Sequence, residues 1–106
     1  MKLLKENRLK KKEFSRIKTA ERKKGFLVTV NFLFGSNSVP KLGITVTRKW
    51  GNAVKRNRFE RISREAFRAI KDQLPKNIQI NIYPKKDIID LKTEILKKEL
   101  SQLLLL

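Results

Sequence analysis

The chain has 106 residues, with 27 Lys and Arg against 10 Asp and Glu, and a formal net charge of +17 at neutral pH. It contains no Cys and no His, which excludes disulfides, thiolate or histidine zinc sites, Ser-His-Asp triads and histidine general bases. A hydrophobic fraction of 40% with six Phe supports one modest core, so the length implies a single domain spanning residues 1–106, and the excess of cations points to nucleic acid as partner.

Between Asn7 and Lys24 the chain is strongly basic, and its sparse apolar positions Leu9, Phe14 and Ile17 predict a short helix from about Leu9 to Lys18 at a domain edge. Phe14 reads first as a core anchor, a role compatible with ligand contact. Aromatic and β-branched enrichment from Phe26 to Phe34 predicts a strand, Gly35 to Pro40 a turn, and Leu42 to Thr47 a second strand antiparallel to the first. In that second strand Ile44 and Val46 share one face, Thr45 and Thr47 the other. Arg48 to Asn52 breaks the strand, and Asn52 is suited to cap a helix running to about Gln73, before Pro75.

Alternation from Ile78 to Tyr83 predicts a strand with one buried face. Asp90 or a near neighbour is expected to cap a last helix whose packing face comprises Leu91, Ile95, Leu96, Leu100, Leu103 and Leu104. The islands Leu3-Leu4 and Leu103 to Leu106 are too short to span a bilayer, so a soluble cytoplasmic protein without a membrane partner is expected. The order is α-β-β-α-β-α, with room for the first β region to divide. The expected fold class is α+β, with three helices against a small mixed sheet.

The helix after Asn52 carries the strongest chemical signal. At about 100° per residue, positions 58, 61, 64, 68 and 71 share one sector, while Phe59, Ile62, Ser63, Ala66, Ala69 and Ile70 lie opposite. Guanidinium groups offer planar forks of donors that match phosphate oxygens at any physiological pH. A solvated charged face is the ordinary reading of such a sector, yet the acids along this stretch are Glu60 and Glu65 alone. The small residues opposite suit packing on a sheet better than insertion into a membrane. Glu60 and Glu65 are too far apart around the helix to chelate one ion, and the remaining acids are scattered, with Asp72, Asp87 and Asp90 nearest to a group. No catalytic residue and no metal site is therefore assigned to the protein itself.

Gly43-Ile44-Thr45-Val46-Thr47-Arg48-Lys49-Trp50-Gly51-Asn52-Ala53-Val54-Lys55-Arg56-Asn57-Arg58, followed by Arg61-Ile62-Ser63-Arg64-Glu65-Ala66-Phe67-Arg68, resembles the signature of the bacterial ribonuclease P protein subunit. The likeness extends over nearly the whole chain, through the basic N-terminal helix with its Phe, the strand ending at Tyr83-Pro84-Lys85, and the leucine-rich C-terminal helix.

The resemblance implies a compact two-layer α/β sandwich with a left-handed crossover at the arginine helix. It implies a holoenzyme in which ribonuclease P RNA is the catalyst, holds Mg2+, and removes the 5′ leader of precursor tRNA by endonucleolytic hydrolysis that leaves a 5′ phosphate. No small-molecule substrate is implied. By the same resemblance, Lys55, Arg56, Asn57, Arg58, Arg61, Arg64 and Arg68 meet the catalytic RNA. Phe14, Lys18, Arg48, Lys49 and Lys85 line a cleft for the single-stranded leader.

Three positions depart from the family pattern. Glu60 stands where a basic residue is usual, with Arg56 or Arg64 as its partner. Lys18 stands where a second aromatic is common, and its charge takes over by attracting the backbone. Trp50 is bulkier than the usual apolar residue and is expected to pack under its loop. A basic ribosomal or general RNA-binding protein would share the charge and the helix, but the ordered signature counts against it. A self-sufficient nuclease lacks its carboxylate cluster here, and no helix-turn-helix or zinc finger marks a DNA-binding module.

Overall fold

The computed structural model describes residues 4–18, 20–85 and 91–105. Strands β1 (Glu21–Lys24), β2 (Val28–Phe34), β3 (Lys41–Ile44) and β4 (Ile78–Pro84) form one sheet in the order β1-β2-β4-β3. β4 is antiparallel to β2 and parallel to β3. A parallel neighbour cannot be reached by a tight turn, and the crossover is supplied by helix α2 (Ala53–Ile70). Helix α1 (Lys11–Ile17) precedes the sheet and α3 (Thr93–Leu104) follows it. The fold is α+β with three helices and a mixed sheet, as expected.

Strand pairing differs from expectation at β3, which lies parallel beside β4 and not antiparallel beside β2. The Gly35 to Pro40 segment is tied to the chain entering β4, which rules out a hairpin there. Gly35 N donates to Asn77 O at 2.9 Å, and Asn37 Nδ2 donates to Lys76 O and Ile78 O. β3 also ends at Ile44 rather than Thr47. The order does contain an extra early strand, but β1 arises from the basic segment before Gly25, where none was expected, and not by division of Phe26 to Phe34; Phe26 and Leu27 belong to the turn between β1 and β2.

The register places Val28, Val30 and Phe32 on the same face as Ile78, Ile80 and Ile82, with Leu42 and Ile44 beside them. This face carries the main core, closed by Phe59, Ile62, Ala66, Phe67 and Ile70 of α2 and by Leu96 and Leu100 of α3. Phe67, not Ala69, completes the buried sector of α2, because its ring fills core volume that an alanine at the opposite rim of the sector cannot. Ile95 of α3 is 49% exposed and falls outside the packing face expected for it. Asp90 lies outside the described residues, and Lys92 occupies the capping position of α3 without a side-chain bond.

β4 is buried on both faces, contrary to the single buried face that its alternation suggested. α1 covers the other side, where Asn31 Nδ2 donates to Ile17 O at 3.1 Å. The polar face of the strand is thereby taken out of water but hydrogen-bonded: Gln79 Nε2 donates to Asn37 Oδ1, and Asn81 Oδ1 accepts from Thr45 Oγ1. α1 itself is shorter than expected at both ends.

One buried carboxylate ties α3 to the β1–β2 turn. Glu99 Oε1 accepts from the backbone N–H of Phe26 and Leu27, and Oε2 from Leu27 and Val28, at 2.9–3.0 Å. A Cβ on Gly25 would lie 2.7 Å from this carboxylate, so the missing side chain is what lets the helix approach. Charge-assisted bonds of this kind contribute more than neutral ones. Replacing Glu99 by Gln turns one acceptor into a donor facing donors, and the expected loss is about 1.5–3 kcal/mol in urea denaturation.

Candidate nucleic-acid interface

Asn52 starts α2 by accepting from Lys55 N at 3.0 Å, the bond of an N-cap residue. Before it, Gly51 has φ 131° and ψ −173°, a region essentially open to glycine alone. The chain thus turns straight from the segment after β3 into the arginine helix. With the core sector of α2 against the sheet and α3, Lys55, Asn57 and Arg61 are exposed, and Arg56, Arg58, Arg64 and Arg68 are half-buried. The residues expected to meet RNA through this helix thus run from its first turn to its last, where Arg68 stands.

The two acids on the helix each face an arginine one turn away, Glu65 the one before it and Glu60 the one after. Glu65 lies 3.4 Å from Arg61, and Glu60 lies 4.0 Å from Arg64 rather than beside Arg56. Exposed pairs of this kind are worth about 0–1 kcal/mol. They orient two guanidinium groups without cancelling the cationic surface.

The second set of candidates is not gathered on one element, and the structure sets Phe14 on the face of the sheet opposite α2. Phe14, half-buried on α1, sits directly over Gly43 of β3, where a Cβ would come within 2.4 Å of its ring. Lys18 is exposed just beyond α1, on the side of β2 that Asn31 marks. Arg48 and Lys49 are exposed on the helical turn after β3. Lys85 directly follows β4, where its N–H bonds Leu27 O and its Nζ bonds Gly25 O. Because β3 and β4 are parallel, Arg48 and Lys85 lie at the same end of the sheet. Trp50, expected to pack under its loop, packs against the core, and Lys49 Nζ stands 5.1 Å from the centre of its ring.

The register adds residues that sequence reasoning leaves out. Tyr83 pairs with Thr29 and Thr29 with Lys24, while Arg22 pairs with Asn31, so Tyr83, Lys24 and Arg22 share the face that carries Phe14. The alternation of Gln79, Asn81 and Tyr83 is the signal that finds Tyr83. Nothing in the sequence marks the two cations of β1.

α1 is held in place by Glu13. Its Oε1 accepts from Lys10 N at 2.7 Å, and its carboxylate pairs with Lys41 Nζ of β3 at 3.0 Å. Among the described residues, no group of three or more His, Cys, Asp or Glu side chains could hold a metal ion.

A family model described as Ribonuclease P matches residues 3–105. The chain belongs to the ribonuclease P protein family. It is 34% identical over 99 residues to the ribonuclease P protein component of Desulforapulum autotrophicum, covering 92% of this chain and 85% of that protein. The ribonuclease P protein of Thermotoga maritima superimposes with a TM-score of 0.81 at 30% identity, covering 92% of this chain and 94% of that one. The Staphylococcus aureus ribonuclease P protein gives 0.78 at 27% identity, covering 92% and 91%. As a ribonuclease P protein, the chain serves tRNA processing as part of a ribonucleoprotein nuclease, and the ribosomal reading falls away. No described helix is long and apolar enough to cross a membrane.

Burial pushes the Glu13 carboxyl up, but the Lys10 N–H and the Lys41 ammonium outweigh it and hold the group below its ordinary value. A carboxylate depressed in the folded state contributes stability that is complete above the unfolded value and is lost as pH falls through the folded one. Glu13→Gln should therefore be less stable than the parent at neutral pH, with the difference vanishing in acid. Urea denaturation across a pH series reads this directly.

Proposed function

We propose that the arginine face of α2 binds the catalytic ribonuclease P RNA, and that the opposite face of the sheet, under α1, holds the single-stranded leader of precursor tRNA. The active site and its Mg2+ ions belong to the RNA, and the work is done in the cytoplasm. The observation that carries this reading is the placement of two cationic surfaces on opposite sides of β3. One is a helix of arginines; the other is a sheet face with Phe14, Tyr83, Lys24 and Arg22, with Arg48 and Lys85 at one end of the sheet.

The two surfaces suit two forms of RNA. Folded RNA hides its base edges in a deep major groove, so a rigid row of guanidinium groups can grip it by phosphates and shape. A single strand is held instead by a positive groove with aromatic platforms, which tolerates many sequences. On this reading the residues of the chain bind and orient, and the phosphodiester bond is broken by the RNA. Magnesium bound by RNA supplies the Lewis acid and activated water for that step.

The deciding experiment is cleavage of a precursor tRNA by a bacterial ribonuclease P RNA at low magnesium, with protein alone, RNA alone and both. Cutting at the mature 5′ end by the mixture, with the protein alone inert, is expected. Tight RNA binding without any gain in cleavage would overturn the reading. Arg58→Ala with Arg61→Ala should weaken assembly with the catalytic RNA and flatten its salt dependence, since fewer counterions are released. Phe14→Ala should leave assembly intact while reducing the preference for precursor over mature tRNA by about 1–3 kcal/mol, the worth of one stacked base. Equal loss on both substrates would make Phe14 a core residue only.

A further inference from the structure

A pocket of about 430 Å³ opens at the free side of β3, between the α1 segment and α2. That volume lies within the ~300–1,000 Å³ typical of small-ligand sites. Its apolar wall is Leu9 and Phe14, packed on Gly43 so closely that a Cβ there would lie 2.6 Å from Leu9 and 2.4 Å from Phe14. Its polar wall is Arg8 on one side with Glu60 and Arg64 of α2 on the other. Arg8 forms a single bridge with Leu42, after which the chain turns away into α1. The pocket therefore joins the two surfaces described above.

The polar wall is incompletely bonded. Arg64 Nε is buried without a hydrogen-bond partner, and its Nη1 stands 4.0 Å from Glu60 Oε2, beyond hydrogen-bond length. A buried guanidinium N–H left unpaired is costly, so an acceptor belongs there. Phosphate would meet the Glu60 carboxylate, and a cation would meet Arg8 and Arg64. A purely apolar ligand would leave Arg64 Nε unpaired. What fits is a neutral, flat group with a donor edge for Glu60 beside an acceptor for Arg64.

We propose that this pocket receives one unstacked guanine of a single-stranded RNA, resting on the reading above that the protein holds such strands. Guanine alone among the RNA bases offers adjacent N1–H and N2–H donors for both carboxylate oxygens, with O6 next to them as an arginine acceptor. Uracil offers one donor between two acceptors, and its carbonyls would face Glu60. The carboxylate that interrupts the arginine row thus reads a base, where its neighbours grip phosphates.

The test is fluorescence anisotropy with a short all-uridine RNA and with the same strand carrying guanosine at successive positions. The parent protein should bind the best guanosine strand about 5- to 10-fold more tightly, the low end of what one bidentate base contact discriminates. Glu60→Gln should tighten both strands by removing a negative charge, while the ratio between them falls to about one. Glu65→Gln, one turn on and outside the pocket, should tighten both and keep the ratio. No preference in the parent, or an unchanged ratio in Glu60→Gln, would overturn the guanine site while binding of the uridine strand leaves the leader reading standing. Absence of binding by either strand would overturn both.

Discussion

The parallel pairing of β3 with β4 is the constraint on which the rest of the molecule depends. Adjacent parallel strands need a crossover, and a crossover must lie on the sheet. The segment between these strands is therefore committed to being a helix with one apolar flank, and whatever occupies its other flank is presented outward. Here that other flank is a row of arginines. The guanidinium surface is thus held by the deepest part of the core, where Phe59 and Phe67 are at most 1% exposed, and it moves only if the sheet moves. Such rigidity suits recognition by shape, since ordering long side chains on a mobile element would cost more at the moment of binding.

Acids are scarce in this chain, and the ones described in detail serve as fasteners. Glu99 fixes the β1–β2 turn against α3, and Glu13 fixes α1 to β3. Glu60 and Glu65 orient arginines within the cationic face. With so many like charges repelling one another, each carboxylate is most effective where it joins elements distant in sequence. Glu99 does so across more than seventy positions.

Much of this was legible beforehand. The arginine helix and its Asn52 cap follow from periodicity and capping chemistry, and the ordered run from Gly43 to Arg68 pointed to the family. Strand order was not legible, because nothing between Phe34 and Leu42 distinguishes a hairpin from a segment tied to β4. That distinction lies in bonds from Gly35 and Asn37 to residues about forty positions away. The burial of the polar face of β4 was hidden for a similar reason: Gln79 and Asn81 look solvent-facing until α1 and Thr45 are brought over them. Among the binding residues, those on one helix could be read from spacing. Those that meet only through register, such as Lys24, Arg22 and Tyr83, could not.

The outer edge of the sheet carries a consequence of its own. β1 reads Glu21-Arg22-Lys23-Lys24, all exposed, and its free backbone side is the kind of template on which another strand can add. Lysines along such an edge repel a second copy and keep sheets from growing from molecule to molecule. The same side chains attract polyanions. A polyanion that neutralised them without covering the strand would strip away the protection it had been drawn in by, so recognition and colloidal stability here draw on one set of charges.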